Sequence, residues 1–164
     1  MNDDIQKLRE LIKDIDIGML TTVQPDGTLH SRPMSNQSSV SNFDGTLWFF
    51  TDAESTKVHE VEGDSHVNVS YSDPANQNYI SVSGRASVVR DRAKMEELWT
   101  VFHKAWFPKG LDDPNIALLR VDVDKAEYWD APSGKLLQMI GFAKAILTGK
   151  PYGDEAMERK KVDL

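Results

Sequence analysis

The 164-residue sequence predicts a mainly β (α+β) protein, a small antiparallel β-barrel of six strands, closed or nearly closed, with flanking helices. Three observations carry this reading. Six short runs are rich in β-branched and aromatic residues, tight-turn sequences punctuate the early ones, and helical periodicity is confined to a few short stretches.

From Asp3 to Ile15 the residues Ile5, Leu8, Leu11, Ile12 and Ile15 recur at helical spacing, with Asp3 and Gln6 placed as a capping pair. Ile17 to Val23 is then apolar and β-branched. It runs into Gln24-Pro25-Asp26-Gly27, where proline presets φ and glycine accepts a positive φ. A second extended run, Thr28 to Val40, leads to Asn42-Phe43-Asp44-Gly45, whose Asp-Gly pair signals a hairpin. Thr46 to Thr51 follows, and these three runs read as a meander. Ser55 to Val61 is a short helix stopped by Gly63, and strands resume at His66 to Tyr71 and Tyr79 to Val89. Asp91 caps a helix whose apolar side includes Met95, Leu98, Trp99 and Phe102, ending before Pro108-Lys109-Gly110. Ile116 to Trp129 is the sixth strand, and Gly134 to Leu147 a last helix closed by Gly149 and Pro151. Leu136, Leu137, Met139, Ile140, Phe142, Ile146 and Leu147 make that helix apolar on more than one side, which leaves burial within one subunit and burial against a partner both open. One domain over residues 1–150 and a polar, frayed tail over 151–164 are expected.

Composition removes several classes of function. The 19 Lys and Arg against 26 Asp and Glu leave a net charge of −7, the wrong sign for general nucleic-acid affinity. The absence of cysteine rules out thiol nucleophiles, iron–sulfur clusters and zinc thiolates, and fits a reducing compartment. No apolar run approaches the ~20 residues of a membrane span, and the acidic start Met1-Asn2-Asp3-Asp4 is unlike a secretion signal. A soluble cytoplasmic protein with no nucleic-acid or membrane partner is the expectation. His30, His59, His66 and His103 show no metal-ligand spacing, so no metal site is expected. The sequence also lacks a Walker loop, Gly-x-Gly-x-x-Gly, His-Glu-x-x-His and Gly-x-Ser-x-Gly.

What stands out is a pair of anion-binding elements beside aromatic strands. Ser31-Arg32-Pro33-Met34-Ser35 lies within a strand, where an arginine costs desolvation unless it is paired. Thr51-Asp52-Ala53-Glu54-Ser55-Thr56-Lys57 follows a strand and opens a helix, and hydroxyls, a lysine and free N–H groups at a helix start suit a phosphate. Taken singly, Arg32 reads as a surface charge, Ser55 as an ordinary N-cap and Lys57 as solvated. Together, flanking Trp48-Phe49-Phe50, they point to a phosphorylated ligand whose identity the spacing leaves open.

Ser31-Arg32-Pro33-Met34, Trp48-Phe49-Phe50-Thr51, Ser55-Thr56-Lys57 and Tyr79-Ile80-Ser81-Val82-Ser83-Gly84 resemble the pyridoxamine 5′-phosphate oxidase-like FMN-binding split barrels. The similarity extends to Trp106-Phe107-Pro108-Lys109-Gly110, Asp113-Pro114 and Glu127-Tyr128-Trp129-Asp130, and is strongest to the general stress protein branch. This resemblance implies a six-stranded antiparallel split β-barrel, a homodimer with two FMN sites built from both subunits, and flavin-dependent redox chemistry. Arg32 and Lys57 would hold the FMN phosphate, with Ser55 and Thr56 donating hydroxyls. The backbone at Pro33-Met34 and Phe50-Thr51 would line the ring edge, and Tyr79, Trp106 and Trp129 are candidates for the ring-side wall or, equally, for core. After Trp129 the chain reads Asp130-Ala131-Pro132-Ser133, without the Arg-x-His motif that resemblance to the pyridoxal phosphate-forming oxidase would require. The expected function is an FMN flavoprotein, an oxidoreductase of unknown substrate. The alternative is a non-catalytic protein that stores or senses FMN.

Overall fold

Each of the six predicted strands is present in the computed structural model, which describes residues 3–36, 43–131, 135–152 and 157–164. They are β1 (Ile17–Val23), β2 (Leu29–Ser35), β3 (Thr46–Asp52), β4 (His66–Asp73), β5 (Asn78–Val89) and β6 (Ile116–Asp130). Helices α1 (Asp3–Ile12), α2 (Thr56–Gly63), α3 (Arg92–Leu98) and α4 (Lys135–Thr148) flank a mainly β fold of curled antiparallel sheet, the architecture of a split barrel. Residues 37–40 of the long second run, Asn42 and Gly134 lie outside the described residues.

The expected meander is corrected by the strand order, β2-β1-β4-β5-β6-β3. β1 and β2 do form the hairpin set by Gln24–Gly27, with Ile17 opposite Ser35 and Val23 opposite Leu29. β3, however, crosses the molecule to pair with β6, Thr46 opposite Asp122 and Asp52 opposite Ile116. The reason lies in its two faces. Leu47, Phe49 and Thr51 are buried inside the curl, while Trp48 and Phe50 pack outward against a second apolar cluster. A strand apolar on both sides needs cover on both, and β6 over Ile116–Leu119 is buried on both sides likewise. β2 exposes Leu29, His30 and Ser31 and offers no such environment.

The frayed tail is also corrected. A seventh strand, β7 (Glu158–Asp163), pairs with the second half of β6, Glu158 opposite Asp130 and Asp163 opposite Lys125. Val162 is its only buried residue, so the segment reads as polar although it is ordered. Two of its basic residues are paired instead, Arg159 with Glu127 at 2.7 Å and Lys160 with Asp4 at 2.5 Å. α1 stops at Ile12, before the expected Ile15, and Gln6 donates to Glu10 at 3.4 Å. Asp91 does cap α3, accepting the Lys94 N–H at 3.1 Å, but Trp99 turns extended and ends the helix. Phe102 consequently falls on a separate 3-10 turn, Val101–Ala105, where it is 64% exposed rather than buried.

The main core fills the curl with Leu20, Phe49, Val69, Tyr71, Ile80 and Val82, plugged by Leu8 and Ile12 of α1. The smaller cluster joins Met95 and Leu98 of α3 to Ile116 and Leu118 and to the outer rings of Trp48 and Phe50. On β6 the register shifts opposite Ser83 and Gly84, a bulge at which the two backbones close in. α4 leaves Met139, Ile140, Phe142, Ile146 and Leu147 exposed, and Phe142 stacks on Tyr152 with centroids 4.1 Å apart.

Candidate functional site

β2 and β3 end the sheet on opposite sides, and the curl brings them near each other without pairing them. A cavity of about 480 Å³ opens at this seam. Pro33, Met34 and Ser35 form one lip and Phe50, Thr51 and Asp52 the other, with Ile17 and Lys57 beside them. The segment after α3 supplies the remaining wall through His103, Trp106, Phe107, Lys109, Asp113 and Asn115. Its size and mixed apolar and polar lining suit a small planar ligand.

The polar end is built by β2 and α2. Period-two alternation puts Arg32 on the inner face with Met34, opposite Leu20. The partner that burial demands is Glu60 on α2, whose Oε2 lies 2.6 Å from Arg32 Nη2 and which is 3% exposed. Arg32 Nη1 donates to Thr22 Oγ1 at 2.5 Å, the Thr22 hydroxyl donates to Glu60, and Arg32 Nη2 lies 2.8 Å from His30 Nδ1. Burial pushes the Glu60 carboxyl up, but hydrogen bonds from Thr22 and Arg32, with the Arg32 charge, outweigh it and bring the pKa down to about 2.

A pH dependence follows from that shift. A carboxyl lowered from 4.5 to about 2 stabilises the fold above pH 4.5, and the contribution fades as pH falls toward 2. In urea titrations between pH 6 and pH 2.5, wild-type stability should fall more steeply with acid than that of Glu60→Gln. Parallel profiles would contradict this.

Lys57 projects from the first turn of α2 and makes no hydrogen bond or ion pair among the described residues. Burial and then the positive charge of Arg32 hold its ammonium below the usual lysine value, against the pull of Asp52 and Glu60. Ser55 occupies the N-cap with extended φ and ψ, but its side chain makes no cap; its Oγ lies 3.4 Å from Thr51 Oγ1. Two cations and a helix start without a side-chain cap therefore converge at one end of the cavity, an arrangement that favours an anion.

Of the residues singled out from the sequence, Pro33, Met34, Phe50, Thr51, Lys57 and Trp106 line the cavity, Trp106 being 62% exposed at its rim. Arg32, Ser55 and Thr56 belong to the adjoining polar end. Tyr79 and Trp129 do not line it: they are cross-strand partners on the outer face of β5 and β6. Sequence reasoning missed His103, which is buried against Phe50 with ring centroids 4.4 Å apart. Its Nδ1 accepts the Thr100 N–H at 3.0 Å, and burial holds its pKa below the ordinary histidine value. The Thr100-x-x-His103 spacing, that of a capping box, was the available signal. Glu60 and Thr22 were missed as well. Among the described residues no cluster of three or more His, Asp or Glu could hold a metal, and no helix is long and apolar enough to cross a membrane.

The comparisons with known proteins agree with this fold. A protein from Jannaschia sp. CCS1 described as general stress protein 26 superposes with a TM-score of 0.78 at 25% identity, covering 100% of both chains. The general stress FMN/FAD binding protein of Xanthomonas citri gives 0.68 at 29% identity, over 82% of this chain and 93% of its own. Protein bli-3 of Neurospora crassa is 29% identical over 160 residues, 92% of this chain and 76% of that protein. The model of the family pyridoxamine 5′-phosphate oxidase like matches residues 3–153, and the chain belongs to that family.

Proposed function

We propose that the protein is a homodimeric FMN flavoprotein, an oxidoreductase whose substrate is not pyridoxamine phosphate. The observation that carries the reading is the convergence of Arg32 and Lys57 on the start of α2 at one end of a ring-sized cavity. A phosphate dianion suits fixed cations, and an isoalloxazine suits the slot between Pro33–Ser35 and Phe50–Asp52. Ser55 and Thr56 would add hydroxyls at the phosphate. FMN, when bound, supplies the electron chemistry; the chain supplies binding, orientation and exclusion of water. The absence of cysteine fits a cytoplasmic setting.

The dimer rests on the outer face of the sheet. Ile17, Met19 and Tyr79 are exposed there, and Trp129 is half-buried beside Tyr79. Between them lie the small residues Ser70 and Ser81, in register with Met19. Ile17 also lines the cavity, so this face runs into the cavity mouth. A second copy covering it would close the mouth and bring a partner's aromatic residues toward the ring, a role for which Tyr79 and Trp129 are the candidates. An exposed apolar face of this kind is uncommon in a monomer.

The test is an absorbance spectrum from 300 to 550 nm of freshly purified protein, repeated after adding FMN and desalting. A flavin doublet retained by the protein is expected, and a colourless protein that releases added FMN overturns the reading. Anaerobic mixing of the loaded protein with NADH and NADPH then addresses turnover: bleaching supports the oxidoreductase, and inertness toward several donors favours the storage or sensing alternative.

A further inference from the structure

We propose that Thr22 and Glu60 form a brace that holds the Arg32 guanidinium in position at the phosphate end of the cavity, making them positioning residues for recognition of a phosphorylated flavin. The inference rests on the FMN reading above and deepens it.

Arg32 has five N–H groups. One on Nη1 goes to Thr22 Oγ1, and the two on Nη2 face Glu60 Oε2 and His30 Nδ1. The Nε–H and the second Nη1–H make no hydrogen bond among the described residues, and are the donors left for a ligand. Lys57 is close enough for the Arg32 charge to act on its titration. Two like charges brought this near repel, so a mobile arginine would swing away whenever no anion lay between them. The brace opposes that movement from behind. Thr22 is fully buried and paired with His30 in the β1–β2 ladder, and Glu60 is buried on α2, so both anchors are held by secondary structure.

The Thr22 hydroxyl is the hinge of the arrangement. It accepts from Arg32 while donating to Glu60, tying the cation to the carboxylate twice, once directly and once through itself. A buried ion pair gives little net stability against an apolar replacement of the same volume, which makes positioning the better account of why Thr22 and Glu60 are buried beside the partly exposed Arg32. Pre-organising the guanidinium spares its ordering at the moment of binding.

The experiment measures dissociation constants for FMN and for riboflavin by flavin fluorescence on wild type, Thr22→Val and Thr22→Ser. Riboflavin shares the ring and ribityl chain but lacks the phosphate, and Thr22→Val removes the hinge without changing any charge. Wild type should prefer FMN. Thr22→Val should weaken FMN about tenfold with riboflavin within twofold, and Thr22→Ser should restore the preference. If Thr22→Val does not fold, Thr22→Ala carries the same measurement. Equal weakening of both ligands, or an FMN preference unchanged from wild type, overturns the brace and leaves the FMN site standing. No preference for FMN in wild type overturns the phosphate site, and the brace with it.

Discussion

Gly84→Ala should leave little folded protein. A Cβ at this position would lie 2.1 Å from the carbonyl oxygen of Asp122 and 3.0 Å from Val123 Cα, both backbone of the neighbouring strand. Neither can turn aside as a flexible side chain would. The clash falls at the bulge where the register between β5 and β6 shifts, Ser83 opposite Lys125 and Gly84 opposite Val123. Relief would require the two strands to separate. β6 also carries β3 and β7, so the disturbance would spread to three partners. Overpacking in a core commonly costs about 1–3 kcal/mol, and more where only backbone can yield. Chemical denaturation of whatever soluble protein can be recovered would measure it. Alanine at Gly63, where a Cβ meets nothing within 4 Å, is the control and should be tolerated. Equal stability of Gly84→Ala and wild type would mean that the close approach is not a feature of the fold.

Arg32→Ala should have two separable effects. The first is loss of flavin: without the guanidinium, FMN affinity should drop by about a hundredfold, the worth of one or two charge-assisted hydrogen bonds. The desalted variant would be colourless. The second is loss of stability, because Glu60 would stay buried with its charge uncompensated, a situation that costs about 3–5 kcal/mol. Adding Glu60→Gln to Arg32→Ala distinguishes them. The amide needs no counter-ion, so the double variant should regain much of its stability while still failing to retain FMN. A double variant that recovered both would place the phosphate elsewhere.

The fold was legible in the sequence to the extent that single residues report on single faces. The apolar, β-branched run Ile17 to Val23 and the Pro-Asp-Gly turn mark the first hairpin, because both signals are local. The partner of β3 was not legible. Trp48 and Phe50 announce that its second face is apolar, but not that the chain after α3 returns to cover it. β7 was hidden for a related reason: five of its six residues face solvent, and its order comes from ladder hydrogen bonds and the ion pairs of Arg159 and Lys160, which leave no hydrophobic pattern. At the candidate site, Arg32 signalled from sequence that a buried partner was needed. Only the placement of α2 against β1 identified it as Glu60, nearly thirty residues away in the chain. The same limit applied to His103, whose address in the cavity wall depends on where α3 ends.

The seam between β2 and β3 has one more consequence. In a closed barrel the main-chain groups along these two strands would be spent on each other; here, among the described residues, each strand keeps one edge unlaced. Such edges are templates on which a foreign strand can accrete. This chain guards them: Pro33 has no N–H to offer on one lip, and the 3-10 segment carrying His103 and Trp106 stands beside the other. The opening that forms the cavity is thus also the place where a further strand could add to the sheet.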